Sequence, residues 1–400
     1  MAAADQASTR VLRMGIAGLG IASTQILPAF AGRPHLQVAA AADIRPEALK
    51  KFAQEFEAET YTSVAEMCAS PNVDAVYVCS PNHLHCEHVV AAAKHGKHVI
   101  VEKPMGLDLA ECERMNSAAE RNGVRLLCGH THSFDAPIQK IQQIVQGGDL
   151  GKLRMINTWN FNEFMYRPRM PHELDPKVGG NVVFNQGPHM VDVVRLIGGG
   201  MVRSVRAMTG NWDADRKTDG AWCAYLEFED GTPATLVYNG YGHFDTAEFF
   251  WWVGEGGQPR SPETNLRVRR ALKESGDETL LKESQRYGGS RTQGREEGGG
   301  ERHQPFFGLT IVSCEHGDIR QSQDGLIIYG DEKRWEEPVP LGAHGRAAEL
   351  DELYDAVVNG RPVRHDGRWG EATLEVVLGI MESARRRAEV FMSHQVPTPH

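Results

Sequence analysis

The sequence predicts an α/β chain: an N-terminal Rossmann-like, doubly wound parallel sheet, then a C-terminal α/β domain on a large open, mostly antiparallel sheet. Two observations lead there. In the first third of the chain, short apolar or β-branched runs alternate with Ala-rich, charged stretches at helical spacing. From Gly151 onward, strand-like runs follow one another with Gly or Asp-Gly between them, which suits antiparallel neighbours. The expected division falls at 133, giving domains 1–133 and 134–400.

In the first domain, strands are expected at Val11–Ala17, Leu36–Ala42, Val73–Cys79, His98–Val101 and Val124–Cys128. Helices at Pro46–Phe56, Glu87–Lys94 and Leu109–Arg121 lie between them. The second domain should place strands at Ser204–Met208, Ala221–Glu229, Thr235–Tyr241, Glu248–Val253, Phe306–Cys314 and Gly325–Tyr329. Helices at Arg346–Val358 and Gly370–Phe391 close the chain. The stretch 254–304 is rich in Gly, Arg, Lys and Glu and reads as a mobile surface insertion. Its functional alternative is an arm or lid that orders over a ligand or a partner subunit. Within it, the basic run Arg267–Arg270 reads as a solvated helix face.

Composition narrows the function. A length of 400 residues at 41% hydrophobic content supplies two cores. The formal charge of −10 offers no broad positive field, so no nucleic-acid partner is expected. No apolar run approaches the ~20 residues of a membrane span, and the opening MAAADQASTR has no signal-peptide core. The 7 cysteines are scattered without a C-x-x-C pair, so they read as thiols of a reducing compartment. A cytoplasmic protein without a membrane partner is the expectation.

The first strand runs into Gly18-Leu-Gly20-Ile21-Ala22-Ser23, which is G-x-G-x-x-G with Ser in the third position. Gly18 permits the tight turn, Gly20 lets the backbone approach a pyrophosphate, and the small Ser23 still allows close helix–strand packing. The second strand ends at Asp43, close to the ~20-residue spacing expected of the acid that binds the adenosine ribose. A carboxylate there accepts from both ribose hydroxyls and repels a 2′-phosphate, which points to NAD. Arg45 nearby leaves NADP open.

Two more segments carry a family resemblance. Glu102-Lys103-Pro104 follows an apolar strand, and Gly179-Gly180-Asn181-Val-Val-Phe-Asn185-Gln-Gly187-Pro-His189-Met-Val-Asp192 comes downstream. With the Gly-rich turn, they resemble the Gfo/Idh/MocA oxidoreductase family over nearly the whole chain. The resemblance implies a Rossmann domain, an open-sheet second domain, and a lysine near the nicotinamide, whose proline often follows a cis peptide. It implies cofactor contacts at Gly18, Gly20, Ile21, Ala22, Ser23, Asp43, Ile44, Arg45, Ser80, Pro81, Asn82, His85, Glu102 and Lys103. The catalytic set it implies is Lys103, His189 and Asn185. Asn185 stands where the family usually has Asp, and Asn181 replaces a third glycine. Asn185 can orient a hydroxyl but cannot act as a carboxylate, so the chemistry rests on a Lys–His pair. Oxidising a secondary alcohol needs a proton acceptor, which histidine suits near neutrality, and a cation against the developing alkoxide.

Further segments resemble the branch containing dihydrodiol dehydrogenases of phthalate catabolism: Gly129–Pro137, Tyr166-Arg167-Pro-Arg169 with Glu173-Leu-Asp175, and His365–Gly370. They imply a carboxylated cis-dihydrodiol as the small-molecule substrate and a catechol as product. Arg167 and Arg169 suit a carboxylate, and Trp159, Phe161, Phe164 and Tyr166 suit a flat ring. His130 and His132 are candidate pocket residues. A sugar or polyol substrate, a non-catalytic nucleotide-binding sensor, and recycling of bound cofactor are the alternatives. No metal is expected: His83, His85, Cys86 and His88 cluster in sequence, but they fall on one loop-to-helix segment. The family's open sheets pack face to face, which implies a homodimer or homotetramer.

Overall fold

The computed structural model describes residues 10–290, 301–342 and 345–399. The first sheet is assembled from β1 (Leu12–Ala17), β2 (Leu36–Ala42), β3 (Glu59–Tyr61), β4 (Ala75–Val78), β5 (His98–Glu102) and β6 (Leu126–Gly129). Its order is β3-β2-β1-β4-β5-β6 and every pairing is parallel. The connecting helices are α1 (Ile21–Ile26), α2 (Pro46–Phe56), α3 (Val64–Ala69), α4 (His85–Lys94) and α5 (Leu109–Asn122). Strands β4 and β5 are buried almost throughout, as parallel strands covered on both faces must be. The order reverses between β1 and β4, so the crevice for a ligand opens at their carboxyl ends.

The second sheet has nine strands: β7 (Leu153–Phe161), β8 (Val202–Gly210), β9 (Ala221–Phe228), β10 (Pro233–Asn239), β11 (Leu309–Cys314), β12 (Gly317–Ser322), β13 (Gly325–Gly330), β14 (Arg334–Pro338) and β15 (Val390–Phe391). In the order β14-β13-β12-β11-β7-β10-β9-β8-β15, the β7–β10 pairing is parallel and the others antiparallel. Its helices are α6 (Ala136–Gly147), α7 (Val182–Ile197), α8 (Thr264–Ser275), α9 (Glu278–Ser284), α10 (Arg346–Val358) and α11 (Gly367–Arg386). Helices α7 and α11 pack on one sheet face. On the other, Trp159 of β7, Cys223 of β9 and Met208 of β8 are exposed in one cross-strand row with Val237 of β10.

Helix α10 returns to the first domain. Leu350 and Leu353 are fully buried in the core beneath β1 and β2, and the Tyr354 hydroxyl donates to the Arg10 carbonyl at 3.0 Å. Arg33 pairs with Asp351 at 2.8 Å. Burying two leucines contributes roughly 1.5–3 kcal/mol each.

Three expectations are corrected. Glu248–Val253 is no strand: Asp245 accepts from the Ala247 amide at 2.9 Å and starts a 3-10 turn over Thr246–Phe250. Trp251 and Trp252 then adopt positive φ of 54° and 61°, which no strand allows. The closing helix begins earlier and ends earlier than Gly370–Phe391, because Asp366 caps the Trp369 amide at 2.8 Å and Arg387 turns left-handed at φ 54°. The expected mobile insertion forms α8 and α9 instead, and Tyr287 is buried against Phe52 of the first domain. On α8, Arg267 and Arg270 are exposed as expected of a solvated face, while Arg269 is half-buried with its guanidinium 3.8 Å from the Tyr166 ring centroid. The stretch 291–300 of that insertion lies outside the described residues.

Candidate active site

The Gly-rich turn is built as its residue types require. Gly18 has φ +102°, and a Cβ there would sit 3.0 Å from the Cys79 carbonyl and the Ser80 backbone. A Cβ on Gly20, by contrast, would meet nothing within 4 Å, so this backbone is open to a ligand. Buried Ser23 turns its hydroxyl onto the Gly20 carbonyl at 2.7 Å, the close packing a third glycine would have served. Ile21 and Ala22 are half-buried behind the turn. Asp43 accepts from the Leu19 amide at 2.7 Å and from the Arg45 amide at 2.9 Å. Ile44 between them is 87% exposed, clear of any core. A dinucleotide fits this cradle: free backbone at Gly20 for a pyrophosphate and a carboxylate at the end of β2 for a ribose.

Across the crevice, the segment after β4 is fixed by histidines. His85 places Nδ1 2.9 Å from the Pro104 carbonyl and Nε2 2.9 Å from the Ser80 carbonyl, tying the two loops together. His88 Nδ1 meets the Ser80 hydroxyl at 2.8 Å. Pro81 is exposed, and Asn82 lies beside the Gly179 turn. His85 therefore acts on the site through the backbone, by holding the cis Lys103–Pro104 loop.

Lys103 and His189 meet through α7. Asn181, in the third-glycine position, caps this helix by accepting from the Phe184 amide at 2.9 Å. Gly180 must be glycine, since a Cβ would come within 2.5 Å of the His172 carbonyl and the Asp175 amide. Pro188 inside the helix leaves the Phe184 carbonyl without its usual donor and loosens this turn. At the next residue, the Asn185 carbonyl accepts from Lys103 Nζ at 2.8 Å. Asn185 and His189 are one turn apart, so both share the face that Lys103 approaches.

Burial pulls the Lys103 ammonium down to about 8, with Glu102 opposing and Arg346 and Arg169 adding to the fall. Burial and the Lys103 charge push His189 well below the ordinary histidine range, so its ring is neutral. His189 Nδ1 lies 3.4 Å from the His130 carbonyl, which favours the proton on Nδ1 and leaves the Nε2 lone pair free.

Sequence reasoning named Glu102 as a cofactor contact but missed the network it joins beneath Lys103, formed by Arg346, Tyr77 and Glu349. Glu102 accepts from Arg346 at 2.6 Å and from the Tyr77 hydroxyl at 2.9 Å. Tyr77 also faces Glu349 at 3.1 Å, and Glu349 takes the Thr131 amide and hydroxyl. Arg346 and Lys103 hold Glu102 down against burial, whereas burial raises Glu349. Phe307 is another unpredicted member, packed at 4.9 Å against His189 and stacked at 4.4 Å on His132.

The other candidates divide. His132 pairs with Asp135 at 3.0 Å and stands edge-on to His189 at 4.8 Å. His130 is buried, lowered to about 4 by desolvation, with Asp192 3.5 Å away; Asp192 also accepts from Trp369 at 2.5 Å. Arg167 pairs with Glu163 at 2.9 Å and Glu255 at 3.5 Å, and Arg260 joins Glu163 and Asp245. There, two cations face three carboxylates. Arg169 lies 3.7 Å over the Phe164 ring and donates to the Phe164 carbonyl at 2.7 Å. Its charged neighbours reverse the balance, with Arg169, Arg216 and Lys282 sharing Glu173 and Glu278. Burial lowers Arg169 to about 10, the mark of a guanidinium short of negative charge. Tyr166 lies under Arg269. Trp159 and Phe161 alternate onto the sheet face away from α7, so Trp159 is not brought to His189.

Comparison with known proteins agrees with this architecture. An NAD-binding Rossmann-fold model of the oxidoreductase family matches residues 12–130, and the corresponding C-terminal domain model matches 138–258. The 1-carboxy-3-chloro-3,4-dihydroxycyclohexa-1,5-diene dehydrogenase of Comamonas testosteroni is 36% identical over 94% of this chain and 95% of its own length. A myo-inositol 2-dehydrogenase from Thermotoga maritima is 32% identical over 49% of this chain and 58% of its own. A crystal structure from Bordetella bronchiseptica RB50 superposes with TM-score 0.90 at 40% identity, covering 96% of this chain and 100% of the other. The chain belongs to the Gfo/Idh/MocA family and is an NAD-dependent dehydrogenase.

Proposed function

We propose that this dehydrogenase oxidises a ring carbinol of a carboxylated cis-dihydrodiol, the ketone so formed tautomerising to a catechol. NAD, held by the Gly18–Ser23 turn and Asp43, supplies the hydride acceptor when bound. Lys103 presents its ammonium to the carbinol oxygen and stabilises negative charge there. His189 takes the hydroxyl proton on Nε2, its Nδ1–H held by the His130 carbonyl. Asn185 spends an amide hydrogen on the Asn181 carbonyl at 3.1 Å and keeps its oxygen for a substrate hydroxyl.

The observation that carries the substrate class is the cation excess around Arg169, set beside the buried Lys103. A ring carboxylate would complete that balance, so Arg169 is assigned the carboxylate and Arg167 the support of Glu163. The name of the Comamonas testosteroni relative, a carboxylated dihydroxycyclohexadiene dehydrogenase, supports the same class. The exposed apolar row Trp159, Cys223 and Met208 supports a homodimer or homotetramer joined through the open sheet. Five buried free cysteines support a reducing, cytoplasmic setting. Among the described residues, no helix is long and apolar enough to cross a membrane.

The test is NADH formation with a carboxylated cis-dihydrodiol, its uncarboxylated analogue and a polyol. Turnover should favour the first. Arg169→Gln should lower its kcat/KM by about tenfold or more while sparing the uncarboxylated analogue. His189→Ala should lower kcat by ~10²–10⁴ on every substrate. Turnover confined to polyols would discard the aromatic substrate and keep the alcohol chemistry.

A further inference from the structure

Residues 276–290 cross from the substrate side of the molecule to the nucleotide turn. At the first end, Glu278 accepts from the Arg169 amide at 2.7 Å and pairs with Arg216, while Lys282 meets Glu173 at 3.0 Å. At the other end, Tyr287 is 5% exposed, edge-on to Phe52 at 5.9 Å, with its hydroxyl on Glu55 at 2.5 Å. The backbone it carries reaches the dinucleotide cradle: the Tyr287 amide points to the Gly20 carbonyl at 3.4 Å.

Tyr287 meets both cations at the adenosine rim. Arg45 Nε lies on Asp43 at 3.1 Å, Nη2 on the Leu19 carbonyl, and Nη1 on the Tyr287 carbonyl at 3.4 Å. Every guanidinium nitrogen is thereby engaged. Lys51, further along α2, holds its ammonium 5.2 Å from the Tyr287 ring centroid. Asp43 is the carboxylate of this rim, its oxygens accepting from the Leu19 amide, the Arg45 amide and the Arg45 guanidinium.

We propose that Tyr287, from the inserted segment of the second domain, determines coenzyme choice by keeping Arg45 and Lys51 from a 2′-phosphate. The proposal rests on the dinucleotide reading of the Gly18–Asp43 cradle and extends it. Asp43 repels the 2′-phosphate, and the docked segment withholds the cations that would offset that repulsion. Removing the ring unseats residues 285–288 and frees Arg45 to turn toward the phosphate.

Fluorescence titration with NADH and with NADPH tests this without any substrate. Wild type should bind NADH the more tightly. In Tyr287→Ala, with its thermal transition intact, the ratio of the NADPH to the NADH dissociation constant should fall about tenfold, the factor of one charge-assisted hydrogen bond. Adding Arg45→Ala should restore much of the ratio, and Tyr287→Phe should leave it near wild type. Should Tyr287→Ala fail to fold, Tyr287→Leu fills the core while removing the ring from Lys51, and a fall in the same ratio is expected. An unchanged ratio in a folded variant, or a fall that Arg45→Ala does not reverse, overturns the proposal. Wild type that binds neither nucleotide overturns the cradle reading instead.

Discussion

Lys103 carries its charge under tension between burial, which removes it, and Glu102, which keeps it. The folded-state pKa is depressed to about 8, so the ammonium is present below that pH and lost above it. If the cation stabilises the alkoxide, kcat/KM for alcohol oxidation should fall above pH 8. Lys103→Arg keeps a cation across the range and should abolish that alkaline limb, even at a lower maximum rate. NADH production between pH 6 and 10 measures both; a limb that stays at pH 8 in the arginine variant would remove Lys103 from this role. His189, held well below the ordinary histidine range by burial and the Lys103 charge, should add no acid limb near 6.5. Lys103 and His189 were legible because their residue types fit the chemistry and their motifs are local. Arg346 was not, because it reaches Glu102 across 244 positions of chain. The two arginines were named by type, but their different surroundings became visible only when the chain folded.

The elements that position the site rest on caps as much as on apolar periodicity. Asn181 is the clearest case: a substitution for glycine in the family pattern, it starts α7 and so sets where Asn185 and His189 point. Asn181→Ala should cost about 1 kcal/mol, seen as a lower thermal midpoint, whereas Asn181→Ser should recover most of it. An undiminished midpoint in the alanine variant would show that packing alone holds the helix. Helices at Pro46–Phe56 and Arg346–Val358 were readable to their end residues, since apolar spacing and punctuation agree there. The 246–250 turn was not, because its aromatic run imitates a strand and the deciding bond comes from a side chain, Asp245. The α8–α9 segment misled for the opposite reason. Its composition is polar, yet its anchors are ion pairs and one tyrosine, which leave no periodic trace.

At the level of the whole molecule, one face of the open sheet stays exposed among the described residues. Trp159 of β7, Val237 of β10, Cys223 of β9 and Met208 of β8 form a row across four strands. A second copy laid on this face would bury them, and sedimentation velocity should find a dimer or larger species. Trp159→Glu combined with Met208→Glu should shift it to monomer with NADH binding retained. An assembly that survives both changes would place the contact elsewhere. The two-sheet architecture was legible from the alternation of runs, but β3, β7, β12, β14 and β15 were not; β3 and β15 are only three and two residues long, β14 lies at the sheet's margin, and β7 and β12 mix polar with apolar residues.

The return of α10 to the first domain also bears on how the chain is born. The wound sheet is complete in sequence at Gly129, yet the helix that fills part of its core ends roughly 230 residues later. At ribosomal rates of ~5–20 residues per second, that interval is roughly ten to fifty seconds. Through that time, the surface that Leu350 and Leu353 will cover is bare. The nucleotide domain is therefore first in sequence and among the last parts of the nascent protein to close.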